Sequence, residues 1–443
     1  MRSYLILSMC FLFLVQYFAQ FQWLQYLVVI MALFAFIGSI LNANRMPGIL
    51  GLVMMGVGIG VELLKGTGFS GISEGIFLIL PLLCLITLAP LLSIPLKIGG
   101  FFKSVSHLLH NLLSQPKKMY AGITGTLFFL SPILNLASVR IINEFLEDLK
   151  LPSALTAKSY VVGFATASMW SPYFASVSLM IHYLHISYEE FILYGLGFSI
   201  LSLVIGNLLF ALWERRHPFA GSSAAIVPLD KADRYQLIKL ILFVACLMGV
   251  CLLVEELTNW SMIVIVCLLA VIVPLLFAVK RGNWKRMPPL LKDFRDRNVP
   301  LMSNEIVLFM SAGMLAFSLK GTTVMNGVSD LLAGLANQSF FLFAFALILI
   351  VLCITYIGIH QIAVIGALAM QLSVVDLGVS NLAVALILLL SWAISMSLSP
   401  FSGLNLLVSR FSRLSGRSVG LGANGLHSFV VAFISIAIIS LIA

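Results

Sequence analysis

Ser395-Met396-Ser397-Leu398-Ser399-Pro400-Phe401-Ser402-Gly403-Leu404-Asn405 lies inside an apolar run that extends over 380–409. A bilayer crossing needs about 20 mostly apolar residues, and this run is long enough to be one. Proline removes a backbone donor and collides with the preceding turn, so it breaks or kinks a helix. In lipid the freed carbonyls must find partners inside the protein. Serine, asparagine and glycine at such a break supply those partners, and the same groups can hold a ligand.

The stretch has a counterpart. Ala165-Thr166-Ala167-Ser168-Met169-Trp170-Ser171-Pro172-Tyr173 precedes Ala393-Ile394-Ser395-Met396-Ser397-Leu398-Ser399-Pro400-Phe401 by 228 residues (Ala165 to Ala393), with Ala, Ser, Pro and an aromatic in register. The same offset lays Ser131-Pro132, within the apolar segment 119–147, on Ile359-His360, within 339–373. Four breaks result: Leu130 to Asn135, Ser168 to Tyr173, Tyr356-Ile357-Gly358-Ile359-His360-Gln361, and Ser395 to Asn405. One Ser-Pro in a membrane helix is first of all a structural kink; four breaks in paired positions point to a site.

Composition sets the class. The chain has 443 residues, 61% hydrophobic and 10% charged, with a mean hydropathy of +1.09. A soluble domain carries about 25% charged residues. Soluble multidomain, disordered, disulfide-rich secreted and nucleic-acid-binding classes are excluded. Cys10, Cys84, Cys246, Cys251, Cys267 and Cys353 all lie in apolar runs without metal-ligand spacing, and read as packing residues. No cofactor is expected.

The pattern predicts an all-α polytopic membrane protein with about eleven crossings, near 4–20, 24–42, 48–64, 74–96, 159–184, 187–213, 236–254, 259–279, 304–320, 380–409 and 426–442. The first run follows Arg2 but lacks a small-residue cleavage site, so it reads as retained. Lys280, Arg281, Lys285, Arg286, Lys292, Arg295 and Arg297 place the loop 280–299 in the cytoplasm, and Glu255-Glu256 fall outside. With 119–147 and 339–373 as re-entrant hairpins, 24 of the 26 Lys and Arg fall on the cytoplasmic side, and only Lys65 and Lys320 outside. As ordinary spans they would break that segregation. The expected setting is the plasma (inner) membrane, with the N-terminus cytoplasmic. The +9 charge is then orientation rather than the mark of an acidic partner.

Residues 97–118 set Ile98, Phe101, Phe102, Val105, Leu108, Leu109, Leu112 and Leu113 on one helical face, an interfacial arm. Val324, Val328, Leu331, Leu332 and Leu335 repeat the pattern in 321–338. Five crossings separate the hairpins, so the halves are inverted, a signature of secondary transporters with a midplane site. The expected organisation is scaffold helices 1–96, arm 97–118, transport half 119–213, cytoplasmic linker 214–235, scaffold 236–320, arm 321–338 and transport half 339–443.

The candidate substrate-binding residues are Ser131, Pro132, Asn135, Ser168, Ser171, Pro172, His360, Gln361, Ser395, Ser397, Ser399, Pro400 and Asn405. Half-helix N-termini present N–H groups and positive dipole ends to an anion. Unwound carbonyls with Ser131, Asn135, Ser399 and Asn405 suit Na⁺. His360 reads as the one histidine deep in the membrane zone, either a proton relay or a neutral structural group. Arg140 reads first as a positive-inside anchor, second as an anion contact. No carboxylate lies in any break, and Glu62 and Glu305 sit near span ends. That favours an anionic solute over an organic cation. Gly56 and Gly60 form a small-xxx-small packing pair.

The layout resembles the ion transporter superfamily: dicarboxylate/sodium symporters, arsenite and sodium/proton antiporter relatives, and the large membrane subunit of tripartite periplasmic transporters. The resemblance lies in paired arms, hairpins and broken spans. Where the symporters carry Ser-Asn-Thr signatures, this chain reads Ser131-Pro132 with Asn135, Ser168 with Ser171-Pro172, His360-Gln361, and Ser395 to Pro400. It implies an elevator-type carrier and a homodimer; the leading functional expectation is a secondary active transporter for a small anion, coupled to Na⁺ or H⁺.

Two other readings compete. A lipid-linked flippase or membrane transferase for a polyprenyl-phosphate or glycolipid would use cytoplasmic acids such as Asp293 and Asp296, or Glu214-Arg215-Arg216-His217. The seven basic residues around the Asp pair favour a solvated loop instead. A channel is the third reading. No phosphate-binding Gly-rich loop with Lys-Ser/Thr supports a primary pump.

Overall fold

The computed structural model describes residues 2–149, 151–218, 230–280, 284–372 and 377–443. The expected linker 214–235 and basic loop 280–299 therefore lie partly outside the described residues, which form helices without a strand. In the first half these are α1 (Arg2–Ala19), α2 (Gln22–Ile40), α3 (Arg45–Leu64), α4 (Gly68–Leu88), α5 (Ser93–Gly99), α6 (Phe101–Asn111), α7 (Pro116–Leu134), α8 (Leu136–Leu146), α9 (Ser153–Ala167), α10 (Ala175–Leu184) and α11 (Tyr188–Arg216). The second half holds α12 (Lys231–Thr258), α13 (Met262–Lys280), α14 (Met287–Asp293), α15 (Val299–Leu301), α16 (Ser303–Leu319), α17 (Thr323–Gln338), α18 (Phe340–Tyr356), α19 (Gln361–Leu372), α20 (Asn381–Leu398), α21 (Gly403–Ser412) and α22 (Gly425–Ile439). A π-helical segment, Ser418–Asn424, leads into α22.

Among the described residues nine helices, or up to ten counting a pair bent by 56° at Met302, are long and apolar enough to cross a membrane. This is a multi-pass membrane protein. The expected eleven included 159–184 as one crossing, but Pro172 and its flanking serines divide it into α9 and α10. The bent pair joins Met287–Leu301 to Ser303–Leu319, so the expected crossing 304–320 continues from the basic loop before it. The first arm also divides, at Gly100, whose φ of +73° a side chain would strain.

The helices sort by exposure. Along α3 and α12 fewer than a third of the window residues are buried (28% each), as expected where one stripe packs and the rest meets lipid. In α20 every residue from Leu382 to Leu398 is buried. It packs on α9, α10, α18, α19 and α22 and forms the axis of the molecule. α16 packs separately on α2, α3 and α4, and meets the axis group through α19.

Helix boundaries keep the 228-residue offset. Shifted by it, α10 (Ala175–Leu184) coincides end to end with α21 (Gly403–Ser412), and the start of α9 with that of α20.

Candidate functional site

The first break turns at Asn135, with φ +51° and ψ −140°, outside the left-handed helical region. Its Oδ1 accepts from Leu136 N at 2.8 Å and so caps α8. Ser138 Oγ donates to Asn135 O at 2.6 Å, which leaves Ser131 Oγ as the donor in its 2.8 Å bond to Ser138. Pro132 lies inside α7. All four polar partners are thus tied to one another around the turn.

At the second break Ser168 Oγ donates to Ala165 O (2.8 Å), Ser176 Oγ reaches Ser168 O (2.7 Å), and Ser178 Oγ reaches Pro172 O (2.6 Å). Ser171 Oγ accepts from Tyr173 N at 3.3 Å. Carbonyls released by the break thus find serine hydroxyls, as a water-poor interior demands.

The third break turns at Gly358, with φ +106°. His360 Nδ1 accepts from Ile362 N at 3.3 Å, so in this state that nitrogen carries no proton. Its ring centroid lies 5.9 Å from that of Phe309 on α16. Gln361 starts α19 and is buried.

The fourth break is the meeting point. Ser399 Oγ donates to Thr355 O at 2.9 Å, and Tyr356 Oη to Leu398 O at 3.1 Å, which binds the third break to the fourth. A Cβ at Gly403 would lie 3.4 Å from Leu136 Cδ1, so the first break abuts it. Ala165 and Met169 of the second break share a cavity of about 20 Å³ with Ala393 and Ser397. Ser395 and Ser397 donate to the carbonyls of Trp392 and Ala393. Asn405 Nδ2 reaches Ser397 O at 3.4 Å, and its Oδ1 accepts from Ser409 Oγ at 3.2 Å. Pro400 rests against Gly416, and Gly420 of the π segment approaches Leu398 O so closely that a Cβ there would collide with it.

Chemically this is a neutral, oxygen-rich centre. Ser168, Ser395 and Ser397 spend their hydrogens on backbone carbonyls, which leaves oxygen lone pairs that suit a cation. The first turns of α10 and α21 offer N–H groups that suit an anion. Among the described residues no group of three or more His, Cys, Asp or Glu could hold a metal.

Sequence reading missed His427. It lies in α22 with Nε2 3.0 Å from Ser202 O, and it lines both the cavity beside Ser397 and a second one of about 60 Å³. His360 is therefore not alone inside the membrane zone. The signal was faint, since His427 is the second residue of the run 426–442. Arg140 is exposed on α8. Glu62 is buried and paired with Lys65 at 3.1 Å.

No protein-family model matches the sequence, and no curated protein matches it. The fold is similar to that in the crystal structure of the Alcanivorax borkumensis YdaH transporter, which is described as revealing an unusual topology. The TM-score is 0.60 at 13% sequence identity, over 90% of this chain and 98% of that one. At that identity the likeness is one of fold.

Proposed function

We propose that the protein is a secondary active transporter, moving a small anionic solute across the cell membrane by an elevator-type mechanism coupled to Na⁺ or H⁺. The observation that carries this reading is the approach of the other three breaks to the α20–α21 segment, where the fully buried α20 ends. A lone kink would not draw three other interruptions to it. The substrate would lie among Ser131, Asn135, Ser168, Ser171, His360, Gln361, Ser395, Ser397, Ser399 and Asn405, with Pro132, Pro172 and Pro400 keeping the backbone open.

Several observations support the finer reading. In this reading α7 with α8, and α18 with α19, form the two re-entrant hairpins. The coincidence of α10 with α21 at the 228-residue offset supports an inverted repeat. The fold shared with a protein called a transporter supports transport as the activity, and we read the paired layout as resembling the ion transporter superfamily. Serine lone pairs beside the breaks favour Na⁺, and His360 is the candidate if the ion is H⁺. We take the working unit to be a homodimer in the plasma (inner) membrane, with the N-terminus cytoplasmic and no resident cofactor.

The deciding experiment is uptake and efflux in proteoliposomes, with imposed Na⁺ and pH gradients, over a panel of carboxylates, phosphate and other oxyanions. Gradient-dependent flux of one of them supports the reading. Flux that follows only the solute's own gradient and does not saturate would mean a channel, and no flux of any would overturn transport of small anions.

A further inference from the structure

The larger cavity, of about 60 Å³, lies between α7, α9, α11 and the start of α22. Its polar lining is Tyr120, Lys158, Trp213, Asn424 and His427, set among apolar walls that include Val162 and Leu209, with no carboxylate. Lys158 is the one residue between Leu155 and Ala167 that is not fully buried. Its Nζ donates to Ala423 O at 2.6 Å and stands 5.3 Å from the centre of the Trp213 ring. No carboxylate pairs with it among the described residues. An ammonium has three donors, so two are uncommitted, and a half-buried cation without a counter-charge is unfavourable.

The other polar groups have fixed roles. Asn424 Nδ2 donates to Val419 O at 2.8 Å and to Ala157 O at 3.3 Å. Both partners are acceptors, so the amide cannot be flipped. Its Oδ1 is then a buried acceptor with no partner. His427 Nε2 faces Ser202 O, so it is the donor and Nδ1 is the acceptor of the neutral ring. Gly206 keeps the space open: a Cβ there would stand 3.1 Å from Tyr120 Oη, 3.4 Å from His427 Nε2 and tight against Val162. Water at Lys158 would solvate the ammonium but would not balance its charge.

We propose that this cavity binds a phosphomonoester-type oxyanion, whose charged oxygens Lys158 Nζ and Tyr120 Oη would hold. Free phosphate and the headgroup of phosphatidic acid carry the same chemistry. Trp213 suits either source, since indoles favour the headgroup level of a membrane. The site does not depend on the transport reading, because none of the four breaks contributes to it.

The test uses the full chain in neutral detergent. Thermal midpoint and tryptophan fluorescence are followed while inorganic phosphate is added at constant ionic strength. In parallel, mixed micelles carry either phosphatidic acid or phosphatidylcholine. Saturable stabilisation by phosphate identifies a soluble ligand; stabilisation by phosphatidic acid alone identifies a headgroup. Lys158→Met should weaken binding about tenfold or more, through loss of a charge-assisted contact, and Lys158→Arg should restore much of it. Trp213→Phe should abolish the fluorescence response, which assigns that signal to the cavity. If Lys158→Met does not fold, Tyr120→Phe decides, because it removes only Oη and should weaken binding about fivefold. The proposal is overturned if neither arm stabilises the protein, if phosphatidylcholine equals phosphatidic acid, or if the charge or hydroxyl can be removed without effect on binding.

Discussion

Ser399 Oγ donates to Thr355 O across 44 residues of chain, at 2.9 Å. One hydroxyl thus holds the interrupted α20–α21 segment against the turn that follows α18. Its oxygen also accepts from Phe401 N at 3.3 Å, so the side chain does at this break what N-caps do at helix starts.

Ser399→Ala removes both bonds without rebuilding a helix, because Pro400 stays. The expected loss is about 1 kcal/mol of stability and a larger loss of flux in proteoliposomes. Ser171→Ala should behave alike, since Ser171 Oγ accepts from Tyr173 N. If both variants transport at the parent rate, the site lies elsewhere.

Gly420→Ala should destabilise the protein by about 1–3 kcal/mol, the usual range for overpacking. The added methyl would meet Leu398 O and stand 3.0 Å from Asn405 Nδ2. Gly422, with nothing within 4 Å of a built Cβ, is the control. A thermal midpoint lowered by Gly420→Ala and held by Gly422→Ala is the expected pair of results.

His360 Nδ1 accepts from Ile362 N, so a proton arriving there must displace that bond and loosen the turn into α19. If H⁺ is the coupled ion, His360→Ala should flatten the pH dependence of flux. A pH profile identical to that of the parent would leave His360 a purely structural role.

Asp293 pairs with Arg297 at 3.3 Å and lies 3.9 Å from Lys97, while Arg295 grips Asp296 at 2.6 Å. Carboxylates engaged in this way at the membrane face read as surface ion pairs. Asp293→Asn with Asp296→Asn should leave flux unchanged. Abolished activity in the double variant would favour a lipid-linked transferase instead.

The breaks were legible because proline, glycine and serine stand out in a chain that is 61% hydrophobic. Their pairing was legible because Ser171-Pro172 and Ser399-Pro400 keep one offset. The division of 159–184 was already implied by Pro172. The cavity around Lys158 was not legible. Lys158 and His427 each stand at the edge of an apolar run, where a polar residue ordinarily anchors a helix end. Their meeting depends on α9, α11 and α22 packing side by side, which no local pattern encodes. Gly100 likewise gave no warning, because a glycine beside Gly99 fits an uninterrupted arm as readily as a bend.

α10 has ten residues, about 15 Å of helix at 1.5 Å per residue, against roughly 30 Å of hydrocarbon. It cannot cross the bilayer unaided. Asn381 Nδ2, at the start of α20, donates to Leu184 O at the end of α10, and 197 residues separate the two. During synthesis α10 therefore emerges long before the helix that completes its surroundings, and it must wait in a provisional position. Truncation before α20 should leave residues 1–380 inserted but open to proteases around 168–184, so that assembly of this protein is finished by about its last seventh.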